Sequence, residues 1–239
     1  MRKKLLIAAI LFVIVVAGVA VYFYNNIDSI VKNAIERSGS EITGTKVSVG
    51  SVDISLESGR GTIRNVRVEN PDGFSDEDAV TLDEVTLVLE VGSLNRDPIV
   101  IQDVLVKAPV VNAEVDEKLL TNMGVIRSHV QDYQAAGSAS KPARQDAGYG
   151  KHFTIKSFVM KEGIVHGDAT RVRPGEKREF DLPPLELSNV GGSRGSRPEL
   201  LGKAIAAGMF ARIEQAVADE LKAAATQKIE DKVKEILNR

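Results

Sequence analysis

Five segments of this chain alternate apolar and polar residues, as the strands of a half-buried β-sheet do. In each segment the alternation slips by one residue at a pair of polar or small residues. A β-bulge at each slip would keep the apolar side chains on one face and increase the local twist. The pattern therefore predicts a curled sheet with one continuous apolar face. The pairs are Gly50-Ser51, Arg64-Asn65, Asp83-Glu84, Gln102-Asp103 and Lys156-Ser157.

The strands are expected in two groups, separated by a stretch rich in small and polar residues. This stretch, residues 135–150, is expected to be a flexible linker inside one domain. A strand in each group is followed by a turn signal, Ala108-Pro109 and then Glu162-Gly163, which indicates a weak internal repeat. The expected strands lie within Val47 to Leu56, Thr62 to Val68, Val80 to Val91, Ile99 to Lys107, Val110 to Val115, His152 to Val165 and Phe180 to Leu187.

A short amphipathic helix is expected before the first strand. Asn26 or Asp28 can cap it, and Ser38-Gly39 is expected to end it. This helix could close one end of the sheet or lie on a membrane surface, and we favour packing against the sheet.

Two further helices are predicted from apolar residues at helical spacing. Asp116 can cap a helix from Glu117 to about Tyr133, with Leu119-Leu120 on its apolar face. A long tail helix is expected from Leu200 to Leu237, after an N-terminal signal at Pro198. Its apolar residues recur every fourth position, so their stripe winds around the helix, which indicates a curved partner, a break or a change of partner.

The first residues predict a membrane anchor. Met1-Arg2-Lys3-Lys4 precedes apolar or small residues from Leu5 to Tyr24, which is long enough to cross a bilayer. The positive charges keep the N-terminus in the cytoplasm and place the rest of the chain outside it. A signal peptide cleaved near Gly18-Val19-Ala20 is the alternative. We favour the uncleaved anchor because of the length and the aromatic end of the segment.

Composition and motifs argue against several classes of function. The net charge of -2 does not favour nucleic-acid binding, and the absence of cysteine excludes disulfides and thiolate chemistry. His129, His152 and His166 stand without a second ligand at metal spacing. The sequence contains no phosphate-binding loop or nucleophile elbow. We therefore expect no catalytic residue, no metal site, no cofactor and no enzymatic activity.

These strand patterns, behind the anchor and the short helix, resemble the N-terminal region of the AsmA-like proteins of Gram-negative bacteria. The resemblance covers Met1 to Glu114 and is carried by Ile42 to Leu56, Asn65 to Phe74, Leu82 to Val85 and Ile99 to Val104. It implies an inner-membrane protein with its sheet in the periplasm and a role in envelope lipid transport or outer-membrane biogenesis. It supplies no catalytic residues.

The expected fold is α+β: an N-terminal transmembrane helix, a curved and mainly antiparallel sheet with flanking helices, and a long C-terminal amphipathic helix. The expected parts are the anchor (1–25), the periplasmic sheet domain (26–196) and the tail helix (197–239). The expected partners are the phospholipid bilayer, a phospholipid ligand and an envelope protein docked by the tail helix.

The predicted function is the handling of lipid acyl chains on the apolar face of the sheet. The alternatives are that helices bury this face as an ordinary core, and that the protein is a scaffold whose tail helix docks a partner. The candidate lipid-facing residues are Val47, Val49, Val52, Ile54, Leu56, Val66, Val68, Val85, Leu87, Ile101, Val104 and Val106.

Overall fold

The computed structural model describes residues 26–139, 151–172 and 175–237. In this part of the chain, three helices pack with one nine-stranded, mixed and open sheet, so the predicted α+β class is confirmed. The predicted anchor, residues 1–25, lies outside the described residues, as do residues 140–150 of the predicted linker. Within the described residues, no helix combines the length and apolar character needed to cross a bilayer.

The elements follow one another as a helix, five strands, a second helix, four strands and a third helix. The helices are α1 (26–43), α2 (Asn122–Ala139) and α3 (Pro198–Leu237). The strands are β1 (Val47–Ser55), β2 (Arg60–Glu69), β3 (Asp78–Leu89), β4 (Ile99–Lys107), β5 (Val110–Glu114), β6 (Phe153–Lys161), β7 (Gly163–Asp168), β8 (Lys177–Leu182) and β9 (Leu185–Val190).

The sheet is six strand positions wide, because three of its positions each hold two strands end to end. β1, β2 and β3 pair in sequence and antiparallel. β4 and β5 both pair with the same side of β3, and β6 and β7 run parallel to them. β9 and β8 close the far side, antiparallel to β6 and β7. The parallel neighbours need a crossover connection, which contains α2.

The turns predicted at Ala108-Pro109 and Glu162-Gly163 are wrong. The two sites do occupy equivalent places in neighbouring strands, as predicted. The chain does not reverse at either point, because β4 and β5 pair antiparallel with the same strand. Ala108 and Glu162 instead have φ values of 50° and 59°, and they lie next to each other between the paired Lys107↔Lys161 and Val110↔Ile164. A left-handed residue in each strand interrupts the alternation without a hairpin.

The slips predicted in β1, β2 and β3 lie on one line across the sheet with Ala108 and Glu162. Asn65 has a φ of 54°, and the pairing passes from Val49↔Val66 to Ser51↔Arg64 without a shift. The bulge predicted here is therefore wrong, since both strands change phase together and no extra residue is needed. A Cβ at Gly50 would lie 2.8 Å from the Cβ of Asn65, which explains the glycine at this crossing point.

A second interruption occurs where slips were predicted at Gln102-Asp103 and Lys156-Ser157. The first is a confirmed bulge, because the β3–β4 pairing shifts between Val88 and Leu89, opposite Gln102. At Lys156-Ser157 the pairing with β9 keeps its register, and Asn189, opposite Lys156, has a φ of 52°.

The first helix ends later than predicted. α1 continues through Gly39 to residue 43, and the N–H of Gly44, whose φ is 70°, donates to the carbonyl of Ser40 at 3.0 Å. Gly39 is a packing residue, because a Cβ there would lie 3.1 Å from Cγ1 of Val47. The glycine therefore permits close contact between α1 and β1 and does not end the helix.

The second helix begins later than predicted. The carboxylate of Asp116 accepts hydrogen bonds from the N–H groups of Lys118 and Leu120, at 2.9 and 2.8 Å, and forms a turn instead of a cap. Thr121 caps α2 through a 3.0 Å hydrogen bond from the N–H of Gly124. α2 also extends to Ala139, so the first residues of the predicted linker are helical.

The tail helix is confirmed as one element of 40 residues. Its N-terminal half belongs to the core, where Leu201, Phe210 and Ile213 are buried. Ile205 and Met209, from the predicted winding stripe, are half-buried and pack against the core. α3 contacts β8, β9 and α2.

The polar side of α1 covers the free edge of β1. The N–H groups of Val47, Val49 and Ile54 donate to the side chains of Ser40, Glu36 and Asp28, at 2.8, 2.8 and 2.9 Å. The amine of Lys32 donates to the carbonyl of Gly50 at 3.2 Å. Edge strands carry unpaired backbone groups that promote association between sheets, and α1 removes this liability.

We expect the variant Glu36→Ala to lower the free energy of unfolding by roughly 1.5–3 kcal/mol, because a hydrogen bond to a charged acceptor is lost. Amide exchange at Val49 should accelerate in the same variant. Chemical denaturation and hydrogen exchange measure the two effects. Glu41→Ala is the matched control on the same helix, since Glu41 pairs with the exposed Arg37. Equal effects from the two variants would contradict the edge contact.

Candidate functional site

Eleven of the twelve candidate lipid-facing residues lie on strands β1 to β4, and Leu56 lies in the turn after β1. Burial divides the twelve into two groups. Six are buried: Val47, Val49, Val52, Val66, Val85 and Val106. The other six are half-buried: Ile54, Leu56, Val68, Leu87, Ile101 and Val104. The strand register places cross-strand neighbours in rows across the sheet, and the division follows these rows except at Val68, which is half-buried between the buried Val47 and Val80.

One row is buried from edge to edge. It runs through the paired residues Val52, Ile63, Val85, Val106, Met160 and Leu185. All six side chains are at most 9% exposed. This row is a closed part of the core.

The next row towards the β1–β2 hairpin is more open. It runs through Ile54, Gly61, Leu87, Val104, Phe158 and Leu187. Ile54, Leu87, Val104 and Leu187 are half-buried, whereas Phe158 is 4% exposed. The open part of the face therefore includes positions on β1, β3, β4 and β9.

Gly61 makes this open part continuous across β2. A Cβ there would lie 2.9 Å from Cδ1 of Leu87 and 3.4 Å from Cγ1 of Ile54. The side chains on either side of β2 therefore close over the glycine. Apolar surface runs from β1 to β4 without a polar side chain between them.

α1 fixes which end of the sheet is open. The Asp28 carboxylate, near the start of the described part of α1, accepts from the N–H of Ile54 at 2.9 Å. Ser40, three turns later, accepts from Val47. Five of the six half-buried candidates thus lie at the end of the sheet where α1 begins, whereas Val68, which pairs with Val47, lies at the other end. The predicted anchor immediately precedes the beginning of α1 in the chain.

An apolar pocket of about 200 Å³ lies between the three helices and the sheet. Its buried part includes Val80, Met123, Ile126, Val130 and Phe210. Half-buried residues of α1 and α3 complete the lining, among them Ile42, Gly202, Ala206 and Met209. The one hydroxyl in the lining, Thr43 Oγ1, donates to the carbonyl of Gly39 at 2.8 Å. The pocket is suited to an apolar group.

A polar cleft of about 620 Å³ lies beside β5, β7 and β8. Its side chains are paired with one another: Lys177 lies 3.0 Å from Asp168, and His166 lies 3.3 Å from Glu179. The Thr170 hydroxyl donates to Asp168 and lowers the pKa of that carboxyl to about 2, with smaller contributions from the Thr170 N–H and Lys177. Partial burial opposes this shift. We assign the cleft a structural role.

A buried polar network joins this cleft to α2. Asn122 is 0% exposed, and its amide donates to Asn70 Oδ1 at 2.7 Å and to the carbonyl of Asn112 at 2.6 Å. Its Oδ1 accepts from the N–H of Glu114 at 2.9 Å. The buried Glu114 carboxylate in turn accepts from Asn70 and from the Ser75 N–H and hydroxyl. This network holds the loop after β2.

The sequence did not reveal Asn122 or Glu114 as structural centres. Helical spacing places Asn122 inside a longer predicted helix, and alternation places Glu114 on a predicted strand. In the structure both are buried, and the loop residue Ser75 is bonded to Glu114. A lone polar residue carries no periodic signal that distinguishes a buried position from an exposed one.

The histidines have local partners. His129 Nδ1 lies 3.1 Å from the carbonyl of Thr43, and His152 Nδ1 lies 3.0 Å from Asp97 Oδ2. His152 lowers the pKa of Asp97 by hydrogen bonding to it. Over 26–139, 151–172 and 175–237, no cluster of three or more metal-binding side chains is present.

Comparison with protein-family models and with curated proteins found no match to this chain. The similarity to the AsmA-like proteins therefore stays a prediction from the residues, and so do the lipid, the periplasmic location and the partner.

Replacement of Asn122 by Ala should lower the free energy of unfolding by about 2–4 kcal/mol, because it leaves several buried polar groups without partners. Chemical denaturation of the full chain measures the change. The exposed Asn95 offers a control, and Asn95→Ala should change stability by less than about 0.5 kcal/mol. An Asn122 variant as stable as this control would show that the network contributes nothing.

Proposed function

We propose that this protein is a membrane-anchored, periplasmic AsmA-like protein that holds phospholipid acyl chains on the open part of its sheet. The observation that carries the proposal is the half-buried apolar surface of Ile54, Leu87 and Val104, at the end of the sheet where the start of α1 is bonded to Ile54. No covalent step is involved. The protein would take part in envelope lipid transport or outer-membrane biogenesis in the bacterial inner membrane.

The chemistry of this surface suits an acyl chain. Apolar groups transferred from water to such a surface gain about 25 cal/mol for each Å² that they bury. Leu56 is half-buried and does not belong to the side chains packed against the core. It offers apolar area that the protein itself does not use.

The proposed anchor gives the surface its position. A span over residues 5–24 would end just before α1, whose first described turn is bonded to Ile54. The open end of the sheet would then face the bilayer, and an acyl chain leaving the membrane would meet it first. The irregular residues along the sheet would bend it around the chain.

The test measures phospholipid bound to the full chain after extraction in detergent. The double variant Leu56→Asp/Val104→Asp should carry at least roughly tenfold less phospholipid by mass spectrometry, because charge at half-buried sites excludes acyl chains. Ser55→Asp is the control, since Ser55, the last residue of β1, directly precedes Leu56 and is exposed. Val52 is less suitable for this test because it is buried, so its replacement would disturb folding.

Phospholipid on the unmodified chain and on Ser55→Asp, but not on the double variant, is the expected result. Its absence from the unmodified chain, or equal amounts on all three, would contradict the proposal. Circular dichroism of each variant shows that the sheet is retained.

The length of α3 supports a second candidate function, a scaffold that docks an envelope protein through its tail helix. The helix is about 60 Å long at 1.5 Å per residue. Among its described side chains, the buried ones extend from Leu201 to Ala216, while the helix continues to Leu237. The lipid measurement separates the two functions, since a protein that only docks a partner would carry no phospholipid.

A further inference from the structure

Two loops at one end of the sheet carry apolar side chains that the core does not use. Leu56 lies in the turn after β1, and Val91 and Leu94 lie in the connection between β3 and β4. Val91 is 42% exposed, and the other two are half-buried. None of the three is among the hydrophobic side chains that form the core or pack against it. We call these three side chains the apolar rim.

The two loops that form the apolar rim are held against each other. The N–H of Leu89 donates to the carbonyl of Gly59 at 2.6 Å. A Cβ at Gly59, whose φ is 69°, would lie 2.9 Å from Cγ2 of Val91, so the glycine allows Val91 to lie on the turn after β1. The Ser93 hydroxyl donates to the carbonyl of Glu90 at 2.6 Å. Contacts made through this rim therefore need little further ordering of the chain.

The chain that leads into α1 meets the sheet at this same end. α1 and β1 run in opposite directions, because Ile54 donates to Asp28 whereas Val47 donates to Ser40. The residues just before Asp28 and those just after Ile54 therefore lie at one end of the molecule. The predicted span over residues 5–24 ends four residues before Asp28, and four residues reach at most about 14 Å. A bilayer crossed by this span would lie within reach of the apolar rim.

The two ends of the sheet also differ in charge. The loops at the rim end contain four Arg or Lys and three Asp or Glu, whereas the loops at the opposite end contain four and six. An anionic membrane surface attracts basic groups and repels acidic ones, so it favours contact with the rim end. The rim-end loops are residues 56–59, 90–98, 151–152 and 191–197, and the opposite loops are residues 44–46, 70–77, 115–121 and 169–176.

We propose that the apolar rim inserts into the surface of the anionic phospholipid bilayer in which the chain is anchored. This inference rests on the proposed function, because it needs the anchor described there. Apolar side chains at a membrane surface enter the boundary between headgroups and acyl chains to a depth of about 5–10 Å. The contact seats the open end of the sheet on the bilayer, so an acyl chain passes from the membrane to Ile54 and Leu87 without crossing water.

Fluorescence quenching of the full chain in lipid nanodiscs tests the contact. The chain has no cysteine, so Val91→Cys and Leu119→Cys each provide a single site for a fluorophore. Leu119 is the control, because it is more exposed than Val91, at 68%, but follows β5 at the opposite end of the sheet. The nanodiscs contain phosphatidylcholine and phosphatidylglycerol, with or without a nitroxide on the acyl chains.

The nitroxide should quench the Val91 probe at least about fivefold more than the Leu119 probe, because the two ends are roughly 50 Å apart at about 3.3 Å for each residue of β4 and β5. Equal quenching of the two probes, or no quenching of the Val91 probe, would overturn the proposed contact. A chain that does not stay with the nanodiscs would overturn both the contact and the anchor.

The variant Val104→Asp separates contact with the bilayer from lipid held on the sheet. It places a charge on the open part of the face, which should exclude a held acyl chain, and it leaves the apolar rim unchanged. Quenching of the Val91 probe that persists in this variant supports insertion into the bilayer, whatever amount of phospholipid the chain carries in detergent. Loss of quenching would show that a held acyl chain carried the nitroxide, which overturns the rim contact and leaves the proposed function standing.

Discussion

The contact between α1 and the free edge of β1 determines how this sheet is oriented in the rest of the molecule. Three backbone N–H groups of β1 need acceptors, and Asp28, Glu36 and Ser40 supply them. The spacing matches between Ser40 and Glu36 on α1 and between Val47 and Val49 on β1, because four helical residues advance about 6 Å and two strand residues advance nearly 7 Å. Polar residues on one side of a helix can therefore reach successive N–H groups of an edge strand. This contact protects one edge of the sheet and aligns α1 along β1.

The alignment gives the two ends of the apolar face different surroundings. At the end near Val47, the pocket between α1, α2 and α3 lies against Val68 and Val80, and most of the apolar side chains there are buried. At the end near Ile54, the side chains of Leu56, Leu87 and Val104 remain half-buried. One part of the face is therefore a core, as one alternative from the sequence expects, and the other part keeps some of its apolar surface exposed.

The strand pattern was predictable because it depends on local alternation. Apolar residues on both sides of Gly50 and Asn65 do share one face, as the slip indicated. How the alternation changes phase was not predictable, because a β-bulge in one strand and a simultaneous change of phase in two paired strands produce the same sequence pattern. Only the register, Val49↔Val66 followed by Ser51↔Arg64, distinguishes them.

In the helices, too, features that depend on neighbouring residues were predictable, and features that depend on distant contacts were not. The N-terminal signal of α3 at Pro198 was correct because a cap is local. Gly39 looked like a helix end, but its contact with Val47 across the structure decides its role. Asp116 looked like a cap, but its carboxylate closes a turn that exposes Leu119. The candidate site was found by pattern, whereas the division of its twelve residues by burial needed the packing of the helices.

The central claim is that the apolar face is open at the end of the sheet near Ile54 and closed around Val49, Val66 and Val85. Single cysteines introduced into the full, cysteine-free chain test it most directly, through their rates of reaction with a water-soluble maleimide. Leu56→Cys and Ile101→Cys should react at least about tenfold faster than Val49→Cys and Val66→Cys, because access of the reagent limits labelling at buried sites. Equal rates at all four positions would contradict the account.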